Sequence, residues 1–127
     1  MKDNILERFK FSLQALAIGG NDQLRLFPDF VNKVDELALN FVHWYDCILQ
    51  NAEGELSNQQ KHLLKMLNDR LEEMSNEKNL LWTEEALMYK PEWEEIRKLA
   101  VEALKSFGWN RDIPPIFSNE YIPGKRA

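Results

Sequence analysis

Cysteine is almost missing from this chain: Cys47 stands alone among 127 residues. No internal disulfide can form, and the expected compartment is a reducing one. Histidine is nearly as scarce, with only His43 and His62. There is no His-Glu-x-x-His, no cysteine pair for zinc and no glycine-rich phosphate loop, so metal and nucleotide chemistry lose their usual ligand sets. No apolar run approaches the ~20 residues needed to cross a bilayer. The opening MKDN leads into an amphipathic pattern, unlike the apolar core of a signal peptide. The expected location is the cytoplasm, with no membrane partner. Basic charge is also short, 16 Lys and Arg against 21 Asp and Glu, for a net charge of −5. Those cations are scattered, whereas nucleic-acid binders gather theirs into a patch that neutralises phosphates. No nucleic-acid partner is expected.

What the chain does have is helical periodicity. Residues 1–127 read as one domain, long enough to bury about two-thirds of its unfolded surface. The segment from Pro28 to Gln50 organises the rest. Phe30, Val34, Leu37, Phe41, Trp44 and Ile48 recur at steps of three and four, the period of one helix face. Val31, Ala38, Val42, Tyr45 and Leu49 widen that stripe to nearly half the circumference, the width a helix needs to face two or three neighbours. Pro28 suits the first helical turn, where a missing N–H costs nothing.

Around this helix the pattern predicts three more long ones. The first runs from Asn4 to Ile18, with capping-box spacing at Asn4 and Glu7, and Gly19-Gly20 ends it. Phe11 and Ile18 fall off its apolar face. Asn21 to Phe27 connects, with room for one helical turn. After a short polar link, Ser57 and Gln60 cap a third helix reaching Asn76, with a narrow stripe of Leu64, Leu67, Leu71 and Met74. So short a link makes it an antiparallel neighbour of the central helix. Thr83 caps a short helix, and Pro91 begins a last long one that ends at Gly108. Residues 109–127 carry Pro114, Pro115 and Pro123, which forbid a helix. Their aromatic and branched residues predict an extended tail lying across apolar surface. The fold class is therefore all-α: an up-down-up-down four-helix bundle over 1–108, with one or two short extra helices and a packed tail.

Candidate chemistry is sparse. Glu36, Asn40, His43 and Cys47 lie at i, i+4, i+7 and i+11 on one side of the central helix. A His one turn from a Cys can form a thiolate–imidazolium pair. A nucleophile also needs a pocket and oxyanion donors, which one helix face does not supply. The solvated back of an amphipathic helix is the preferred reading. Asp69-x-x-Glu72 and Glu92-x-x-Glu95 resemble the paired acidic motifs with which all-helical nucleotide pyrophosphohydrolases hold Mg²⁺. The resemblance covers those four positions, in the opposite motif order, and it implies a metal-dependent enzyme; a small-molecule-binding protein or such an enzyme, with a pocket inside the bundle, is the alternative reading. The helical wheel turns Asp69, Glu72 and Glu95 outward, which favours solvated surface.

Arg97 lies at the edge of the apolar arc of the last helix, between Trp93 and Ala100. Snorkelling over apolar surface is its ordinary explanation, and stacking on Trp93 to meet an acidic ligand the functional one. Aromatic residues gather from Trp82 onward. Trp82, Tyr89, Trp109 and Tyr121 belong to no helical stripe and are expected to meet where the last helix joins the tail. Tryptophan and tyrosine are enriched in binding hot spots. With Glu92, Trp93 and Arg97 they form the candidate partner surface. The leading expectation is a non-enzymatic protein-interaction module without cofactor, similar in style to small acidic immunity or antitoxin proteins. Its partner would be another protein; homodimerisation through the wide helix face or Phe11 is a further reading.

Overall fold

The computed structural model describes residues 3–115, excepting the side chains of 3 and 77–79. All regular structure among the described residues is helical: α1 (Asp3–Ala17), α2 (Gly20–Leu24), α3 (Lys33–Ala52), α4 (Asn58–Met74), α5 (Lys78–Leu81), α6 (Glu84–Tyr89) and α7 (Pro91–Phe107). Short 3₁₀ turns, Glu53–Glu55 and Ser75–Glu77, follow α3 and α4. The residues 116–127, with the expected tail packing there and Tyr121, lie outside the described residues.

Capping chemistry places the helix ends. α3 begins five residues later than Pro28 suggests. Asn32 is the cap, its side chain accepting the Asp35 N–H at 3.2 Å, and a side-chain acceptor at this position outweighs the neutral preference for proline. Pro28 instead opens a turn, and Phe30, assigned to the apolar stripe, stands 57% exposed. Asn4 sits within α1 and does not cap it. Gly19 and Gly20 do not close α1 in the left-handed conformation either. Gly19 is extended and caps α2. Gly20 is needed for close approach, since a Cβ there would meet Met88 Sδ at 2.6 Å. The Ser57–Gln60 capping box forms as expected, with bonds of 3.1 and 2.8 Å in opposite directions. Thr83 caps α6, and Gly108 ends α7 at φ 72°.

The core lies where α1, α3 and α7 meet. Phe9, Leu13 and Leu16 of α1 face Val34, Leu37 and Phe41 of α3 and Ile96, Ala100 and Leu104 of α7, all buried. Ile18 is buried here as well, and Phe11 half-buried. α1 packs broadly against both α3 and α7, and α4 packs against α7 through Leu64, Leu67 and Leu71. Gln60 Nε2 donates to Ser106 O at 3.0 Å, and Arg70 meets Glu95 at 3.0 Å, so α4 and α7 run antiparallel. The expected close pairing of α3 with α4 is much reduced. Their link is short, yet α4 takes α7 as its partner and touches α3 sparingly. Tyr45 of α3 lies near Lys65 and Asp69 of α4, toward the linked end. Beyond it the two helices separate.

Candidate functional site

The separation of α3 and α4 leaves a solvent-open cleft of about 670 Å³. One bank is Asp35, Ala38, Leu39 and Val42 of α3; the other is Asn68, Leu71 and Glu72 of α4 with Ser75. Each bank follows i, i+3, i+4, i+7, one helix face displayed over two turns. Asn32, ahead of α3, and Trp82 and Thr83, between α5 and α6, complete the lining.

Trp82 is held firmly. Its Nε1–H donates to Met74 O, the carbonyl of the last residue of α4, at 3.0 Å. Its ring stands edge-on to Trp93, centroids 5.4 Å apart at 84°. Trp93 is fully buried, and its own Nε1–H donates to Leu81 O at 2.7 Å. The two indoles tie α4, α5 and α7 together beneath the cleft. Burial of Trp93 removes it from any partner-facing surface.

Leu39 is the residue that the sequence pattern did not single out. It is 53% exposed and lies on the α3 bank. Its signal is an apolar side chain about 60° round the helix from Val42, just beyond the edge of the widened stripe. Phe30 and Leu80, both exposed, lie within two residues of the cleft-lining Asn32 and Trp82. Among the described residues the lining includes two carboxylates, Asp35 and Glu72, and no lysine or arginine.

The remaining candidates scatter. Tyr89 is 78% exposed beside a smaller depression of about 450 Å³ that also takes in Glu94, Glu95 and Lys98. Glu92 is partly buried, and its Oε1 has no hydrogen-bond partner among the described residues. Trp109 lies past the far end of α7, stacked on Phe107 at 4.4 Å and edge-on to Phe9. Trp82 and Trp109 thus sit at opposite ends of a helix about 25 Å long. They do not meet.

Arg97 does not snorkel: it is buried, at 8% exposure. Its Nη1 donates to Gln23 Oε1 at 3.1 Å and to Leu87 O at 3.0 Å, and Nη2 pairs with Glu94 at 3.2 Å. Gln23, fully buried, passes its own Nε2–H to Ala15 O and Leu16 O at 3.0 and 3.2 Å. This network joins the end of α1 to α2, α6 and α7.

The polar face of α3 divides. Glu36 is buried, at 4% exposure, whereas His43 is exposed and rests edge-on against Trp44. Asn40 is half-buried. Cys47 Sγ lies 3.9 Å from His43 Nε2, a loose contact on an open helix face. Neither cleft is lined by this pair. Two of the four acidic-motif carboxylates are engaged with cations: Lys65 holds Asp69 at 2.8 Å, and Arg70 bridges Glu95 and the neighbouring Glu73. Among the described residues no three His, Cys, Asp or Glu side chains converge as a metal site would require, and no helix is long and apolar enough to cross a membrane. Comparison with protein-family models, with curated proteins and with solved structures finds no match, so the cleft's own geometry must carry the functional argument.

Proposed function

We propose that the protein is a single-domain, cytoplasmic, non-enzymatic interaction module. In this reading α1, α3, α4 and α7 make an up-down-up-down four-helix bundle with one open seam, and that seam receives another protein. The observation that supports it is the cleft between α3 and α4, floored by a fixed tryptophan and flanked by exposed Leu39. Apolar side chains left at a groove of this kind gain about 25 cal/mol per Å² when a partner covers them. The acidic balance of the chain suits a partner with a basic surface, as for an inhibitor of the immunity or antitoxin type or an adaptor.

The enzyme alternative has weaker support. Asp69 and Glu95, two of its four acidic positions, already face Lys65 and Arg70. The cleft volume does fall in the small-molecule range of ~300–1,000 Å³. Its open long side favours a chain segment over an enclosed ligand.

A photo-crosslinking amino acid in place of Leu39, introduced in the native source, tests the reading. Met66, exposed on α4 and absent from the cleft, is the control position. A discrete protein adduct from position 39 and none from 66 is the expected result. Equal adducts from both positions, or none from 39, would overturn it. Adducts to a second copy of the chain would replace the foreign partner with a homodimer.

A further inference from the structure

Resting on that reading, we infer that the occupant is an amphipathic α-helix of two to three turns, with basic residues beside its apolar stripe, lying lengthwise between α3 and α4. Three features of the cleft lead to this occupant. The first is periodicity. Asp35, Ala38, Leu39 and Val42 form one ridge, and Asn68, Leu71, Glu72 and Ser75 form the other. Rows at these spacings are what a third helix packs its own ridges against. From Asp35 to Val42 the bank runs about 10.5 Å, close to two helical turns. An extended peptide is usually captured by adding a strand to a sheet edge, and among the described residues there is no strand to add to.

The second is charge. Asp35 on one bank and Glu72 on the other leave a carboxylate at each side of the apolar floor. With no cation among the described lining residues, a helix carrying Lys or Arg on both shoulders of its stripe meets opposite charge on each side, and an acidic helix meets repulsion. The third is preorganisation. Trp82 is fixed from behind by Met74 O and Trp93, so an aromatic anchor is in place before the partner arrives.

Three designed peptides of about sixteen residues, a little over four helical turns, make the test. One carries Leu at i, i+3, i+4 and i+7 with Lys on both shoulders; the second keeps the stripe with Glu shoulders; the third scrambles the first. Each is titrated into the full-length isotopically labelled protein by NMR. The Lys-shouldered peptide is expected to shift the amides around Leu39, Val42 and Glu72 and to become helical. It should bind about tenfold more tightly than the Glu-shouldered one at low salt. In the Asp35→Asn, Glu72→Gln double variant that preference should shrink about fivefold. Leu39→Glu should abolish binding with its circular dichroism and melting curve unchanged, because Leu39 is half-exposed and its loss opens no cavity. Equal binding by the scrambled or Glu-shouldered peptide, or shifts mapping away from the cleft, overturns the inference. The two ideas fail separately. A partner crosslinked at position 39 through a non-helical or acidic segment ends the helix inference and leaves the module. A Lys-shouldered peptide that binds the cleft while position 39 captures nothing in the native source leaves the cleft's chemistry and ends the module.

Discussion

Replacing Arg97 with methionine isolates the polar network that joins α1, α2, α6 and α7. Methionine keeps most of the stem volume, so the packing loss is small. What disappears is the donor set. Gln23 Oε1 and Leu87 O lose hydrogen bonds of 3.1 and 3.0 Å while remaining shielded from water. A charge-assisted bond to a buried acceptor contributes about 1.5–3 kcal/mol, and orphaning its acceptor costs a similar amount without separate addition. The Glu94 contact adds under about 1 kcal/mol because that carboxylate is 56% exposed. Removing a guanidinium from the interior returns its desolvation cost, which lowers the total. The net expectation is a destabilisation of about 3 kcal/mol, or a fall in Tm of roughly 10 °C for a chain of this size. Swapping a whole buried ion pair for apolar residues can be neutral; here only one partner leaves, and its acceptors stay. Thermal and urea unfolding of wild type, Arg97→Met, Gln23→Ala and the double variant complete a cycle. A coupling energy of about 1–2 kcal/mol between positions 23 and 97 is expected for residues in one network. A Tm within about 2 °C of wild type for Arg97→Met, roughly half a kcal/mol at this size, would mean that the network sets geometry without stabilising the fold.

Two further substitutions probe other parts of the fold. Gly108→Ala should cost about 1 kcal/mol, since φ 72° is left-handed while no atom within 4 Å opposes the new methyl; an unchanged urea midpoint would place α7's end in another conformation. Burial raises the Tyr45 hydroxyl above its ordinary value of 10.0, with Lys65 pulling it down and Asp69 up. The folded state therefore keeps this proton longer than the unfolded chain does. The resulting stability is complete below about pH 10 and is lost as pH rises through the higher folded value. Tyr45→Phe should flatten the alkaline decline of stability followed by urea unfolding from pH 9 to 11, and parallel slopes in the two proteins would refute the burial argument.

Helical class and most helix ends could be read from the sequence because they depend on local chemistry. Ser57 with Gln60, Thr83, Pro91 and Gly108 act within one turn of themselves, and each appears where its spacing places it. Structure and pattern part where a local preference has a competitor. Pro28 is an acceptable first residue of a helix, but Asn32 offers a side-chain acceptor to Asp35 N–H and moves the start of α3 to Lys33. Gly19-Gly20 has the composition of a helix end, and the structure uses it for the passage of α2 beneath Met88. Arg97 and Glu36 depart from the helical pattern for a different reason. Burial of a charged residue depends on partners supplied by distant elements, such as Gln23 on α2 for Arg97, which no periodicity records. The aromatic grouping failed likewise, because Trp82 and Trp109 are near in composition and a full helix apart in space.

The width of the apolar arc on α3 carried more information than any motif. A stripe that wide implies two or three neighbours. α1 covers one side of it, through Phe9 against Phe41. α4 was the obvious second neighbour, yet it packs on α7 instead, since Leu64, Leu67 and Leu71 make a seam too narrow to serve two helices fully. Leu39 and part of Val42 are what this choice leaves over, and with the buried Ala38 they line the cleft. Had the chain needed only to fold, polar residues at these positions would have been the less aggregation-prone solution, as they are around the rest of α3's outer face. The sequence keeps Leu39 beside Asp35, across from Glu72 and above a braced tryptophan. Leu39, left exposed by the described helices at the edge of an apolar stripe and bordered by a carboxylate on each bank, is the complement of a helix that is not among them.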